Sequence, residues 1–301
     1  KENIQEFRLA GKATVGEGTW LTHGNSSDRQ PAYSPDGEWL VFSSTRSGNQ
    51  DIWMMSTKSG AVRRITDDPK EDWDPGFTRD GRHILWSSNR TGAFEIWMAD
   101  LDGSNVRQVT REGHDAENPT ATPDGWIVFN QGSGPDRGIR RIRPDGTGAE
   151  QILTGTIVLP EVSPDGRYVS FRLNLRVELF GLRVARLSDG AIVTAFDMDL
   201  PQRRGFTGNS IGRSRWTPDG KAIVFVGQND RGAYGLFIQD FDPQRNTAAT
   251  RRPLAGFDPA IGTETMGISP DGTRLAVAGP EQSSSLMFAE RVPGVDRPAK
   301  K

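Results

Sequence analysis

The sequence predicts an all-β chain, folded as a six-bladed β-propeller with four-stranded antiparallel blades. A turn of the form Ser/Thr-Pro-Asp-Gly recurs along the chain, and a short hydrophobic strand follows each copy. Gly accounts for 35 of 301 residues, a density that leaves little room for helices of ordinary length. Repeats of about 40–50 residues, each with four short strands, are typical of a propeller.

Six turns mark the repeats. Pro presets φ for such a turn, Asp caps it with its side chain, and Gly adopts a positive φ. The turn aspartates are Asp36, Asp80, Asp124, Asp165, Asp219 and Asp271, with gaps of 44, 44, 41, 54 and 52 residues. In the second turn Arg79 replaces proline, whereas Pro144-Asp145-Gly146 breaks the spacing and is assigned to a different hairpin.

The first repeat shows the order of strands within a blade. A strand ending at Tyr33 leads into the turn, and a hydrophobic strand over 39–42 follows it. A polar loop over 45–48 then precedes a third strand over 51–55, and a hairpin leads to a fourth over 62–66. The recurring aromatic positions are predicted to be core, namely Trp53, Trp97, Phe225, Phe237 and Phe288.

The two ends of the chain are predicted to close the ring. The sixth repeat lacks a fourth strand before its polar tail, 293–301, whereas residues 13–22 resemble the fourth strands of other repeats. Residues 13–22 should therefore complete the last blade by pairing near Leu286–Ala289, which removes an open edge. Residues 3–10 either add a further strand or lie across one face. The whole chain, 1–301, is one domain with repeats 23–66, 67–110, 111–153, 154–196, 197–254 and 255–292.

Composition excludes several classes of protein. The chain has 37 basic and 39 acidic residues, for a net charge of −2, so it lacks the basic footprint of a nucleic-acid binder. A mean hydropathy of −0.58, without any run of about 18 apolar residues, argues against membrane insertion. The absence of Cys excludes disulfides, thiol catalysis and Cys-ligated zinc. Residues 1–10 lack the apolar core of a signal peptide, so the chain is expected to be cytosolic or to start after a segment that is not part of it.

The repeat carries a family resemblance. Ser-Pro-Asp-Gly, then Phe-Ser-Ser-x-Arg-x-Gly, Asp-Ile-Trp and Arg-x-Ile/Val-Thr resemble the propeller repeat of the TolB-like family over roughly residues 20–290. The match is strong in the first two repeats and weakens after Arg172. Similar repeats occur in sensor domains of bacterial receptor Ser/Thr kinases and in propellers of prolyl-oligopeptidase-type peptidases, so the resemblance defines a fold more than a function.

Three patterns associated with catalysis or metal binding have structural explanations. Gly208–Gly212 matches G-x-S-x-G, but its flanks lack the strand and helix of a nucleophile elbow. The three histidines, His23, His83 and His114, lack the spacing of metal ligands. The acidic stretch 67–74 is predicted to be a solvated loop, although Asp72 and Asp74 are candidate ligands for Ca²⁺ at the channel mouth.

Arginines recur in the loops between second and third strands, namely Arg46, Arg90, Arg137 and Arg231. An anion-binding rim is one interpretation. The favoured one is structural: each Arg joins neighbouring blades through loop carbonyls and the acidic residue that opens the third strand, Asp51 or Glu95.

Counting back four residues from the Ser/Thr of each turn locates the start of each innermost strand. Six-fold repetition should bring these positions together at the channel mouth, and neighbouring acids and an indole should join them. Such convergent polar groups are expected of a binding site, although they could instead cap strand ends. The predicted ligand-binding residues are Gln30, Trp73, Asp74, Glu117, Asn118, Arg213, Glu264 and Thr265.

The long inter-blade loops suggest a second surface. Arg203, Arg204 and Phe206 lie in one of them and are predicted to contact a protein or peptide partner on that face. The favoured function is a non-catalytic, monomeric sensor or scaffold module without a resident cofactor, located in the periplasm or otherwise outside the cytoplasm as the resemblance implies. The alternative is an enzyme, either a hydrolase or lyase at the channel mouth or the gating propeller of a peptidase.

Overall fold

The computed structural model describes residues 2–11, 13–176, 179–201, 213–228, 234–254 and 265–280. Within them the chain forms six four-stranded antiparallel sheets, which confirms the predicted propeller. The helical content of these residues is one 3-10 turn, Ala248–Thr250, and they include no helix with the length and apolar character that a membrane crossing requires.

Each blade runs from an innermost to an outermost strand. The N-terminal strands β1 (Asn3–Ala10) and β2 (Ala13–Trp20) belong to the last blade. The first blade contains β3 (Asp28–Tyr33), β4 (Trp39–Ser44), β5 (Asp51–Ser56) and β6 (Val62–Arg64). The second contains β7 (Asp72–Phe77), β8 (His83–Ser88), β9 (Glu95–Asp100) and β10 (Arg107–Gln108). The third contains β11 (Ala116–Ala121), β12 (Ile127–Gln131), β13 (Gly138–Ile142) and β14 (Glu150–Thr154). The fourth blade contains β15 (Ile157–Val162), β16 (Tyr168–Arg176), β17 (Leu179–Arg186) and β18 (Ile192–Pro201). The fifth contains β19 (Arg215–Trp216), β20 (Ala222–Gln228), β21 (Tyr234–Asp240) and β22 (Arg252–Pro253). The sixth contains β23 (Thr265–Ile268) and β24 (Arg274–Gly279), and β1 and β2 complete it.

Two N-terminal strands close the last blade, which corrects the predicted register. β1 pairs with β24, with Phe7 opposite Leu275, and β2 pairs with β1, with Trp20 opposite Gln5. Residues 3–10 therefore supply the third strand and residues 13–20 the fourth, whereas 286–289 lie outside the described residues. Burial explains the arrangement, because Ile4 and Phe7 are 0% and 4% exposed in a segment that reads as polar overall.

The Pro-Asp-Gly turns form as predicted. In the first, the Ser34 hydroxyl donates to the Asp36 carboxylate, which also accepts the Glu38 N–H at 2.9 Å. The glycine of this turn, Gly37, has a φ of 73°, and the other five turn glycines have φ values of 67–86°. Only glycine adopts this conformation without strain, so the turn chemistry fixes the hairpin that joins the first and second strands of each blade.

Apolar side chains pack between adjacent blades. Val41, Ile52 and Met54 of the first blade pack with Ile84 and Trp86 of the second, and all five are fully buried. The other blade interfaces contain similar clusters. Of the aromatic residues predicted to be core, Phe225 and Phe237 are buried, Trp53 and Trp97 are half-buried, and Phe288 lies outside the described residues.

Two of the four recurring loop arginines, Arg46 and Arg90, bind aspartates within their own blades, which corrects the predicted partners. Arg46 donates to Asp28 at 2.7 Å and stacks on Phe42 and Trp53. Arg90 repeats this arrangement with Asp72 in the second blade. Asp28 and Asp72 lie on the innermost strands and are fully buried, so each requires a cation. Asp51 pairs with Arg64 instead, Glu95 accepts a hydrogen bond from Thr110, Arg137 is exposed, and Arg231 lies outside the described residues.

Candidate functional site

The structure brings the predicted channel-mouth positions together around the axis of the propeller. Four of them adopt the left-handed backbone conformation, with φ values of 56–57°: Gln30, Asp74, Asn118 and Leu159. Each sits at a β-bulge in its innermost strand, and each precedes a proline. A bulge redirects a side chain, and strain of this kind persists only where surrounding contacts hold it.

Those contacts form a closed belt of hydrogen bonds from blade to blade. The Gln30 N–H donates to Thr265 of the sixth blade at 2.9 Å, and the Asp74 N–H donates to the Gln30 side chain at 2.9 Å. Ser87 then accepts the Asn118 N–H, and Asn130 accepts the Leu159 N–H. Ser170 and Ser214 link blades four and five, and Arg215 donates to the Met266 carbonyl of the sixth blade at 2.8 Å. The strained N–H groups are thus satisfied by the neighbouring blade.

Arg213 spans the axis and connects three blades. Its guanidinium donates to the Asp74 carboxylate at 2.7 Å and to the side-chain oxygen of Asn118. Arg213, Asp74 and Asn118 are 3%, 7% and 6% exposed. Their charges and dipoles therefore satisfy one another, and together they plug the channel.

The remaining predicted residues are less tightly held. Trp73 and Glu117 directly precede Asp74 and Asn118 in sequence, and both are half-buried. The Trp73 indole N–H donates to Glu71 at 3.2 Å. Glu264 and the loop residues Arg203, Arg204 and Phe206 lie outside the described residues, as does the 208–212 motif. Ligand binding by the channel-mouth residues and partner binding by the loop with Arg203, Arg204 and Phe206 both stay predictions.

The candidate calcium ligands both have cationic partners. Asp72 receives two hydrogen bonds from Arg90, at 2.9 and 3.0 Å, and Asp74 receives one from Arg213. Among the described residues, no group of three or more His, Asp or Glu is arranged to hold a metal ion. A Ca²⁺ ion at these carboxylates would have to displace guanidinium groups, and calcium binding stays a prediction.

Glu117 is the acid of this region whose ionisation is most perturbed. Burial raises its pKa to about 7, and the nearby carboxylates of Asp74 and Asp115 add to the effect, whereas Arg213 opposes it. The folded chain therefore holds this carboxyl protonated at pH values where the unfolded chain has lost the proton.

Replacing Glu117 should change how stability depends on pH. Below about pH 4.5 Glu117 is protonated in both states, and as the pH rises through about 7 its ionisation costs stability, by at most about 3 kcal/mol. Glu117→Gln should remove this loss of stability, so the free energy of unfolding of the variant should rise relative to that of the wild type between pH 5 and pH 8. Urea unfolding at several pH values measures it, with Glu150→Gln as a matched control. Parallel wild-type and Glu117→Gln curves would contradict the assignment.

A funnel opens above the plug on the face that carries the Pro-Asp-Gly turns. Its volume is about 320 Å³, and Arg213 forms part of its floor. Tyr33, Phe77 and Trp216 line its wall together with Pro75 and Pro119, and its rim carries residues of the turns. Sequence reasoning missed this space, although the prolines of the turns and of the innermost strands were a signal for it.

Six residues form a ring in the funnel wall, and each lies two positions before the Ser/Thr of its turn. Its members are Ala32, Gly76, Thr120, Glu161, Arg215 and Gly267. The acid and the arginine of this ring form an ion pair, and the Glu161 backbone carbonyl also accepts the Trp216 indole N–H at 3.0 Å. Small or mutually paired side chains thus leave the space above the plug open.

The fold, the plugged channel and the open funnel place the chain among the six-bladed β-propellers. The model of the TolB beta propeller domain matches residues 13–178, which is more than half of the chain. The chain belongs to the TolB beta propeller domain family.

Solved structures support the same fold. A putative TolB from Agrobacterium tumefaciens aligns over 92% of this chain and 97% of its own, with a TM-score of 0.68 and 16% identity. TolB from Acinetobacter baumannii aligns over 92% of this chain and 63% of its own, with a TM-score of 0.62 and 16% identity. An oligogalacturonate lyase from Vibrio parahaemolyticus reaches a TM-score of 0.50 at 12% identity over 93% of this chain and 97% of its own.

Curated relatives match a short stretch. An uncharacterized protein of Agrobacterium fabrum is 46% identical over 52 residues, which are 17% of this chain and 18% of that protein. An uncharacterized peptidase of Bacillus subtilis is 42% identical over 57 residues, 19% of this chain and 8% of that protein. The chain thus aligns with less than a fifth of either relative's length.

Proposed function

We propose that this chain is a non-catalytic binding module that accepts an extended peptide segment of a protein partner in the funnel. The funnel is the observation that carries the proposal. Binding sites are concave, mostly apolar and equipped with a few fixed polar groups, and this funnel combines aromatic and proline walls with a floor that contains Arg213.

Rigidity supports a peptide ligand. Prolines of the turns and innermost strands restrict the backbone around the funnel, and the belt of hydrogen bonds fixes its base. A wall that is already ordered loses little conformational entropy when a ligand binds. An extended segment with an apolar or aromatic side chain would fit such a surface.

The acid–base groups of the funnel favour binding over catalysis. Glu161 is bonded to Arg215, and Tyr33 donates its hydroxyl to Glu6. The Ser34 hydroxyl is held by its own turn. Each of these groups therefore has a structural partner. Family membership is the reason to propose a periplasmic or other extracytoplasmic setting, in which the partner would also reside.

Filling the funnel tests the proposal. A Cβ added at Gly76 would meet only the Pro119 carbonyl, at an ordinary 3.6 Å, so Gly76→Phe should fold and occupy the space. Peptides selected on the wild-type chain from a random twelve-residue phage library should bind this variant at least tenfold more weakly, measured by fluorescence polarisation.

The matched control is Gly132→Phe, at an exposed glycine in the loop after β12, at the end of the blade opposite the turns. It should bind the selected peptides as the wild type does. Equal binding to Gly76→Phe and wild type, or a failure of the wild type to select any peptide, would contradict the proposed site.

A further inference from the structure

Contacts between neighbouring turns form a ring around the rim of the funnel. In five of the six blade interfaces, the proline of one turn packs against the glycine of the next. A Cβ built on those glycines would meet the proline at 2.7 to 3.7 Å. The pairs are Pro270–Gly37, Pro35–Gly81, Pro123–Gly166, Pro164–Gly220 and Pro218–Gly272.

The ring is broken between the second and third blades. Arg79 occupies the proline position there, and a Cβ built on Gly125 would meet nothing within 4 Å. Arg79 also lines a cavity of about 390 Å³ between these two blades, together with Met98, Trp126 and Pro144. Since Arg79 and Ala121 line both this cavity and the funnel, the two spaces adjoin at the missing proline, and we call this junction the passage.

Arg79 gives the passage a positive side chain that makes no ion pair among the described residues, beside the carboxylates of Asp80 and Asp124. Arg79 is exposed, and its side chain makes no hydrogen bond or ion pair among the described residues. The other charged residues of the funnel wall and floor are engaged: Arg213 with Asp74, and Arg215 with Glu161. The two acids of the cavity, Asp80 and Asp124, accept hydrogen bonds from the threonines of their own turns.

We propose that the bound segment leaves the funnel through this passage and places an acidic side chain on Arg79. A guanidinium recognises a carboxylate through charge-assisted hydrogen bonds. Because space continues on both sides of Arg79, the segment passes through, and the carboxylate belongs to a Glu or Asp side chain within it. The next apolar side chain then packs in the cavity beside Met98 and Trp126. This inference rests on the proposed peptide-binding function and specifies its ligand.

Arg79→Pro tests the inference, because it restores the repeat. Proline stands at this position in the other five turns and suits it conformationally, so the variant should fold. Peptides selected on the wild type from the twelve-residue library should contain a recurrent Asp or Glu. Their affinity should fall at least tenfold on Arg79→Pro, and Arg79→Gln gives a second variant that removes the positive charge without introducing proline.

The peptide provides the other half of the experiment. Changing its recurrent acid to the corresponding amide should weaken binding to the wild type by a similar factor and have no further effect on Arg79→Pro. Arg82→Ala, at an exposed arginine of the same hairpin, is the matched control and should bind as the wild type does.

The outcomes separate the two proposals. Peptides that are sensitive to Gly76→Phe but indifferent to Arg79→Pro and to loss of their acid would overturn the role of Arg79 and leave the funnel site standing. Peptides indifferent to Gly76→Phe, or the absence of any selected peptide, would overturn the funnel site and this inference with it.

Discussion

Removal of residues 1–22 is expected to prevent the chain from folding. The deletion takes away both β1 and β2, which form half of the last blade. Ile4 and Phe7 alone bury side chains worth about 1.5–3 kcal/mol each, and two ladders of backbone hydrogen bonds go with them. A typical domain is stable by only about 5–15 kcal/mol. Circular dichroism should show the loss of a cooperative thermal transition.

A circular permutant is the control for this deletion. Residues 1–22 attached through a flexible linker after residue 301 supply the same strands from the other end of the chain, so cooperative melting should return. A deleted chain that melts at the wild-type temperature would show that the two strands do not hold the ring together.

Arg213→Met is expected to lower the free energy of unfolding by about 3–5 kcal/mol, because it leaves a buried carboxylate without its cation. Asp74 and Asn118 both lose the donor that joins them across the axis. Adding Asp74→Asn to the variant removes the unpaired charge and should recover part of the loss. Denaturant unfolding of the two single variants and the double variant measures the coupling between these residues.

The same substitution at an exposed pair is the control. Arg167 bonds Asp165, but its side chain is 74% exposed, so Arg167→Met should change stability far less than Arg213→Met does. An Arg213→Met variant no less stable than Arg167→Met would mean that the guanidinium does not hold the plug.

The repeats made the architecture predictable, since Pro-Asp-Gly turns have a fixed stereochemistry and their spacing counts the blades. Counting back from the turns also located Gln30, Asp74 and Asn118 near one another. The count could not show that these residues adopt a positive φ, because only the contacts with a neighbouring blade compensate for the strain. Their mutual bonding makes a plug where open polar groups were expected.

Features that depend on a single residue were beyond the repeat pattern. Arg213 crosses the axis in one blade only, so no periodic signal marks its partners. For strand β1 the sequence leaves two alternatives open, because Ile4 and Phe7 are three positions apart, which is not the alternation expected of a half-buried strand. The partner of Arg46 was misassigned because Asp28 and Asp51 both lie opposite Ser44 and both are fully buried. The sequence does not show that Arg64 already pairs with Asp51.

The closure of the last blade has a consequence for the order of folding. Phe7 lies opposite Leu275, so the strands made first by the ribosome find their partners only when almost all of the described chain has been synthesised. Contacts so distant in sequence are slow to form, and until then β1 and β24 expose unpaired edges that can capture the same strands of another copy. Blades one to five can assemble as the chain emerges, whereas joining of the ring is the concentration-sensitive step. Refolding at low protein concentration therefore favours closure within one chain over exchange of N-terminal strands between chains.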